Sequence, residues 1–214
     1  MVKISGVAAI SLSVLVCASS ALADTETELL PRDIGRGVHI SVPREWRSQH
    51  ALVEMEERIR AADAGKPGIA GTVGDQVKTK AVLLAVGQFE DRTSSQIKVT
   101  SQQPPTITRA YIAGATDETL KALAPRMEDY LREYARHLGN TLISVTPMRV
   151  VTFGGQRALT SESVRTSKYG NLVQRQYIVA TPTQTLLFTL VFQEAEAAMQ
   201  RPLFQRVEQS VRVD

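Results

Sequence analysis

Apolar positions along this chain change period several times, and each change marks a predicted element. Val38-His-Ile-Ser-Val42 alternates apolar and polar residues and ends at Pro43, which has no N–H for a sheet ladder, so a first strand is predicted. From Gln49 to Ala64 the period lengthens. Leu52, Val53, Met55, Ile59 and Ala62 are apolar, and Glu54/Arg58 and Glu56/Arg60 stand four apart, so a helix is predicted. Repeated glycines from Gly65 to Gly74 predict a flexible connection after it. Ala81 to Val86 reads as a short buried strand with Gln96 to Thr100 as its partner and Glu90 to Ser95 as the polar hairpin loop between them.

The strongest helical pattern is Thr116 to Leu138, where Leu120, Leu123, Met127, Tyr130, Leu131, Tyr134 and Leu138 recur every three or four residues. Thr116 suits the N-cap, Asp117 and Glu118 favour the positive end of the helix dipole, and Gly139-Asn140 suits the stop. Pro125 removes one intrahelical hydrogen bond, so the element is either kinked there or divided into a short turn and a helix beginning near Ala124. Four β-rich runs follow, Leu142 to Phe153, Arg157 to Thr166, Leu172 to Ala180 and Thr185 to Gln193, joined by short turn-forming links that imply antiparallel neighbours. Glu194 to Gln209 returns to helical composition, interrupted at Pro202, before Val211-Arg-Val213. Strands and helices are segregated along the chain, which predicts an α+β fold: a central antiparallel sheet with helices packed on it.

The first 23 residues stand apart from this pattern. Lys3 gives a positive start, Val7 to Val16 an apolar stretch, and Ala21-Leu22-Ala23 a small-x-small site before Asp24. They read as a signal peptide cleaved between Ala23 and Asp24, which places the mature chain in the periplasm or outside the cell. Ser11, Ser13, Ser19 and Ser20 break the apolar stretch, which falls short of the roughly 20 residues of a spanning helix. The sole cysteine, Cys17, follows Val16 rather than the small residue that a lipoprotein attachment site requires. Cleavage at Ala23 removes it, and disulfides, thiolate nucleophiles and cysteine metal ligands go with it. The predicted organisation is a leader over 1–23, a flexible N-terminal arm over 24–36, polar and carrying Pro31, and a single α+β domain over 37–214.

The chain has 25 basic and 22 acidic side chains and a net charge of +3, too small and too interspersed to point to nucleic acid or an anionic membrane. Beyond the leader, apolar runs such as Leu186 to Phe192 are too short to span a bilayer.

Four pieces of sequence resemble the PsbP-like superfamily, which includes PsbP, Mog-type Ran-binding factors and bacterial DcrB-like envelope proteins. They are Ile40-Ser-Val-Pro43-x-x-Trp46, Gly155-Gln-Arg-Ala158, the Tyr177 to Phe192 hairpin and Phe204-x-x-Val207-x-x-Ser210-Val211. The resemblance runs from about Gly37 to the C terminus. It implies an α-β-α sandwich around an antiparallel sheet, used for binding or assembly rather than catalysis, with no catalytic residue to carry across. The chain departs from the pattern in its long segment between Trp46 and Ala81 and in lacking a usable lipobox.

Candidate chemistry is sparse. Of the three histidines, His39 falls on a strand and His50 and His137 at helix ends. His50, Glu54 and Glu57 can be drawn as a metal site, but charges this dense on a helix form a solvated, ion-paired face far more often. His137 suits the C-terminal dipole of its helix. No G-x-S-x-G elbow is present, Ser94, Ser95, Ser161 and Ser163 have no local partner, and Gly65 to Gly74 matches no phosphate-binding loop. Trp46, Tyr130 and Tyr134 are candidate interaction residues, with core closure and sheet packing as the commoner roles for such aromatics.

The resulting expectation is a secreted or periplasmic, non-catalytic protein with no cofactor and no metal, binding an envelope protein or small ligand or assisting assembly. The alternative is a metal-dependent or serine hydrolase of the cell envelope, built from His39, His50 or His137 with nearby carboxylates. A third possibility is an accessory that docks through its arm, Asp24 to Arg36.

Overall fold

The computed structural model describes residues 27–48, 78–89 and 92–214. The leader, the helix expected from Gln49 to Ala64, the glycine-rich connection after it, and with them His50, Glu54 and Glu57, lie outside the described residues. No described helix is long and apolar enough to cross a membrane.

The architecture is the α+β one that the segregation of strands and helices predicts. In the main sheet β3 (Arg47–Ser48), β4 (Lys78–Phe89), β5 (Arg92–Gln103), β10 (Thr185–Gln193), β9 (Leu172–Ala180) and β8 (Gln156–Arg165) pair in that spatial order. The outer edge of β8 is shared end to end by β6 (Leu142–Val145) and β7 (Arg149–Phe153), and every pairing is antiparallel. A smaller sheet, β1 (Leu29–Asp33), β2 (Val38–Pro43) and β11 (Arg212–Val213), lies beside it. The α-helices among the described residues are α1 (Arg109–Gly114), α2 (Asp117–His137) and α3 (Ala197–Ser210).

Period two gives each central strand two buried faces. Val173, Tyr177 and Val179 of β9 turn to the larger core, with Ala158, Phe188 and Phe192 from the neighbouring strands and Phe204 and Val207 of α3. Ile178 and Ala180 turn to the opposite side, towards α1 and α2. Burial on both sides explains why β10 reads as an almost continuous apolar run rather than an alternating one.

Aromatic contacts organise the larger core. Phe204 stacks on Phe192 at 5.3 Å and meets the edge of Trp46 at 5.8 Å, while Phe153 stacks on Tyr177 at 4.0 Å. Helix α3 is also clamped by charge. Arg175 of β9 donates to Glu208 of α3 at 2.9 Å and to Glu162 of β8 at 2.8 Å, and Arg201 of α3 donates to Glu162 at 2.8 Å. Burial alone would push the Glu162 carboxyl up, but hydrogen bonds and charge from Arg201 and Arg175 outweigh it and hold it below the usual carboxylate range. Tyr177, beside this cluster, is pushed up to about 12 by burial and by Glu208.

Several elements differ from expectation. The β4–β5 ladder runs on to Phe89 opposite Arg92, so Arg92 to Ser95 of the segment expected as a loop is strand, and Glu90 and Asp91 lie outside the described residues. Backbone pairing carries it through polar residues that end the apolar pattern. The run from Leu142 to Phe153 is two strands, because Pro147 has no N–H to donate. At the break the Thr146 N–H donates to the Glu162 carbonyl at 2.7 Å and its hydroxyl accepts the Glu162 N–H at 2.8 Å. Pro125 and Pro202 lie inside continuous helices, so the helix is not divided near Ala124.

Part of the polar segment read as a flexible arm forms a strand. Leu29 to Asp33 pairs with β2, in register from Leu29 opposite Pro43 to Asp33 opposite His39. The turn after it passes through left-handed conformations at Gly35, Arg36 and Gly37. Arg36 is fixed there by donating to the Ser101 hydroxyl at 2.6 Å and to the Gln184 side-chain oxygen at 3.1 Å. An edge strand needs only its backbone to pair, and Leu29 to Asp33 has no period-two alternation to reveal it.

A Cβ at Gly87 would lie 2.7 Å from the Trp46 ring, itself braced on Phe204. Gly87→Ala should therefore cost about 1–3 kcal/mol and red-shift Trp46 emission, read by denaturant unfolding followed by tryptophan fluorescence. The depressed Glu162 carboxyl contributes stability that is present above the ordinary carboxylate value of about 4.3 and is lost as pH falls through its lower folded value. Unfolding from pH 7 to pH 2 should show this acid loss in the wild type and a shallower one in Glu162→Gln.

Candidate functional site

On the face opposite α3 a smaller core is built from Ile112 of α1, Leu120 of α2, Leu159 of β8 and Ala180 of β9. The segment leading into it is pinned to β10. The Thr185 hydroxyl accepts the N–H groups of Thr106 and Ile107 at 3.0 and 3.1 Å and donates to the Ile107 carbonyl at 3.1 Å. Thr108 then caps α1 by accepting the Tyr111 N–H at 3.1 Å, and Arg109 donates to the Ala180 carbonyl at 3.1 Å. Helix α2 starts at a reciprocal pair: the Thr116 hydroxyl accepts the Thr119 N–H at 3.2 Å and the Thr119 hydroxyl accepts the Thr116 N–H at 3.0 Å. It ends at Gly139, whose φ of 70° lets the Asn140 N–H reach the Ala135 carbonyl at 2.9 Å.

The apolar stripe of α2 is not seated evenly. Leu120 near its start and Leu131 and Ala135 near its end are buried, whereas Leu123, Ala124 and Met127 in the middle are half-buried. Beneath that middle turn lies a cleft of about 520 Å³, within the usual range of small-molecule sites. Leu123, Met127 and Tyr130 form its helical wall, Leu159 and Ile178 its floor on the sheet, and Met148, Ile107 and Tyr111 close its ends. Among the described residues Arg126 is the one charged side chain lining it, with Thr106 and Thr108 adding hydroxyls. Apolar walls with a few polar groups at the rim suit a ligand that is mostly hydrocarbon.

Of the aromatics singled out from the sequence, Tyr130 lines this cleft and is 49% exposed, and Tyr134 stacks beside it with ring centroids 6.5 Å apart. Trp46 is elsewhere, half-buried against Phe204 and Gly87 in the larger core. The two histidines among the described residues, His39 and His137, do not converge. His39 lies 3.7 Å from Asp214 at the margin of the small sheet, and His137 lies 3.2 Å from Glu133 one turn earlier on α2. Ser161 and Ser163 are buried within β8. Among the described residues no three His, Cys, Asp or Glu side chains are grouped to hold a metal.

Ile107, Met148, Ile178 and Arg126 were not legible as site residues. Ile178 sits in a strand that reads as core, and α1 is too short to show a helical period around its one buried residue, Ile112. The sequence did carry the Leu123/Met127/Tyr130 stripe, but nothing in it told lining a gap from packing on a sheet. A second, more polar cleft of about 350 Å³ lies on the α3 side, lined by Tyr177, Glu208, Arg149 and Arg212 among others. Glu208 there is taken up by Arg175, and Arg212 by the carbonyls of Gln209 and Val211.

No protein-family model matches the chain, and no curated protein matches it. Among solved structures, cyanobacterial PsbP (CyanoP) from Synechocystis sp. PCC 6803 superposes with a TM-score of 0.53 at 14% identity, over 92% of this chain and 99% of that one. Looser likenesses are LpqN of Mycobacterium tuberculosis, described as involved in cell envelope biogenesis, with a TM-score of 0.45 at 11% identity over 89% and 92% of the two chains. The Saccharomyces cerevisiae Ran-binding protein Mog1p gives 0.41 at 12% over 87% and 96%. Those two superpose too loosely to add weight, and identity this low speaks for fold and not for activity. The chain has a PsbP-like fold.

Proposed function

We propose that this is an extracytoplasmic, non-catalytic protein that binds a small, largely apolar ligand in the cleft beneath α2. The cleft carries the reading: a concave site with apolar walls, on a helix held to the sheet at its two ends. The leader-like first 23 residues support the compartment. The scattered positions of His39, His137, Ser161 and Ser163 favour binding over hydrolysis, since catalysis needs nucleophile, base and orienting group within hydrogen-bond reach.

The apolar dye N-phenyl-1-naphthylamine tests this. Titrated into the protein, it should show saturable fluorescence enhancement and raise the thermal midpoint by mass action. Leu123→Gln combined with Met127→Gln removes apolar wall from a half-buried part of the helix and should weaken the dye roughly tenfold, about 1.4 kcal/mol, while far-UV circular dichroism stays unchanged. Lys121→Gln, on the exposed face of α2, should leave binding as it was. No saturable binding by the wild type, or equal binding by the double variant, would overturn the reading.

A further inference from the structure

We propose, building on the binding reading above, that the ligand is a single-chain aliphatic carboxylate, with its chain in the cleft beneath α2 and its carboxylate on Arg126. Size limits the ligand first. A cavity of about 520 Å³ lies in the lower half of the range of small-molecule sites, suited to one hydrocarbon chain rather than a two-chain lipid.

The polar rim then selects the head group. Elsewhere on α2 the arginines are neutralised within the helix: Arg132 pairs with Glu128 and Asp129, and Arg136 with Glu133. Arg126 lines the cleft, and among the described residues no carboxylate pairs with it. The two threonine hydroxyls nearby each have one hydrogen-bonding role already taken. Thr108 accepts the Tyr111 N–H, and Thr106 donates to the Gln102 side chain at 2.7 Å. A ligand rich in hydroxyls, such as a sugar, would find few partners on these walls. One guanidinium presents a planar fork matched to one carboxylate, and its single charge balances a monoanion rather than a phosphate dianion.

The test uses competition against N-phenyl-1-naphthylamine on the full chain, with dodecanoate, dodecanol, dodecyl phosphate and dodecyltrimethylammonium below their micellar concentrations. The quantity read is the ratio of dodecanoate to dodecanol affinity, in which any general change in the cleft cancels. Arg126→Gln should lower that ratio on the order of fivefold, the size of a solvent-facing ion pair, and added salt should lower it in the wild type. Arg126→Glu should lower it further and improve dodecyltrimethylammonium. From octanoate upwards each added methylene should tighten binding about fourfold until the cleft is full.

An unchanged ratio in Arg126→Gln, with dye and dodecanol still bound, overturns the carboxylate and leaves the binding role standing. A dodecyl phosphate affinity that exceeds that of dodecanoate and falls more steeply in Arg126→Gln also overturns it, in favour of a phosphate monoester. Failure of the dye itself to bind the wild type overturns both readings together.

Discussion

Helix α2 rests on the sheet through Leu120 at one end and Leu131 and Ala135 at the other, and the candidate site exists because the turns between do not reach it. Close packing is the rule in protein interiors, and a gap beneath a long amphipathic helix forfeits contacts along both walls. The gap is sustained because both ends of the helix are fixed independently. Leu120 packs with Leu159 and Ala180 at the start, and Leu131 and Ala135 are buried near the finish. A ligand that fills the space would recover the missing contacts without having to open the fold.

The opposite face makes this affordance possible. There α3 and the small sheet close a core in which Phe153, Tyr177, Phe188, Phe192, Phe204 and Trp46 interlock, and the Glu162–Arg175–Glu208 cluster ties α3 to β8 and β9. Most of the large apolar burial therefore sits on one side of the sheet. The division of labour is physical: one face is packed for stability, and the other carries a smaller core and an unfilled cleft.

The architecture was legible where a local pattern is also the pattern that packs. Thr116, Asp117, Glu118 and Gly139 mark the ends of α2 in the sequence and mark them in the structure, and β8, β9 and β10 fall close to their apolar runs. What the sequence hid depends on the backbone or on distant partners. Strand β1 pairs through main-chain groups, which leave no side-chain pattern, with Arg36 anchored by Ser101 and Gln184 far along the chain. The site was half visible: Tyr130 belongs to a stripe that periodicity reveals, but Arg126, Met148 and Ile178 become neighbours only when the sheet forms.

Methionine methyl groups offer the most direct test of where a ligand sits. Met127 and Met148 line the cleft, whereas Met199 is exposed on α3, across the sheet. In a methyl-labelled sample titrated with dodecanoate, the Met127 and Met148 signals should shift together and saturate, with Met199 unmoved. Shifts confined to Met199, or no saturable shift at Met127 and Met148, would contradict a binding cleft beneath α2.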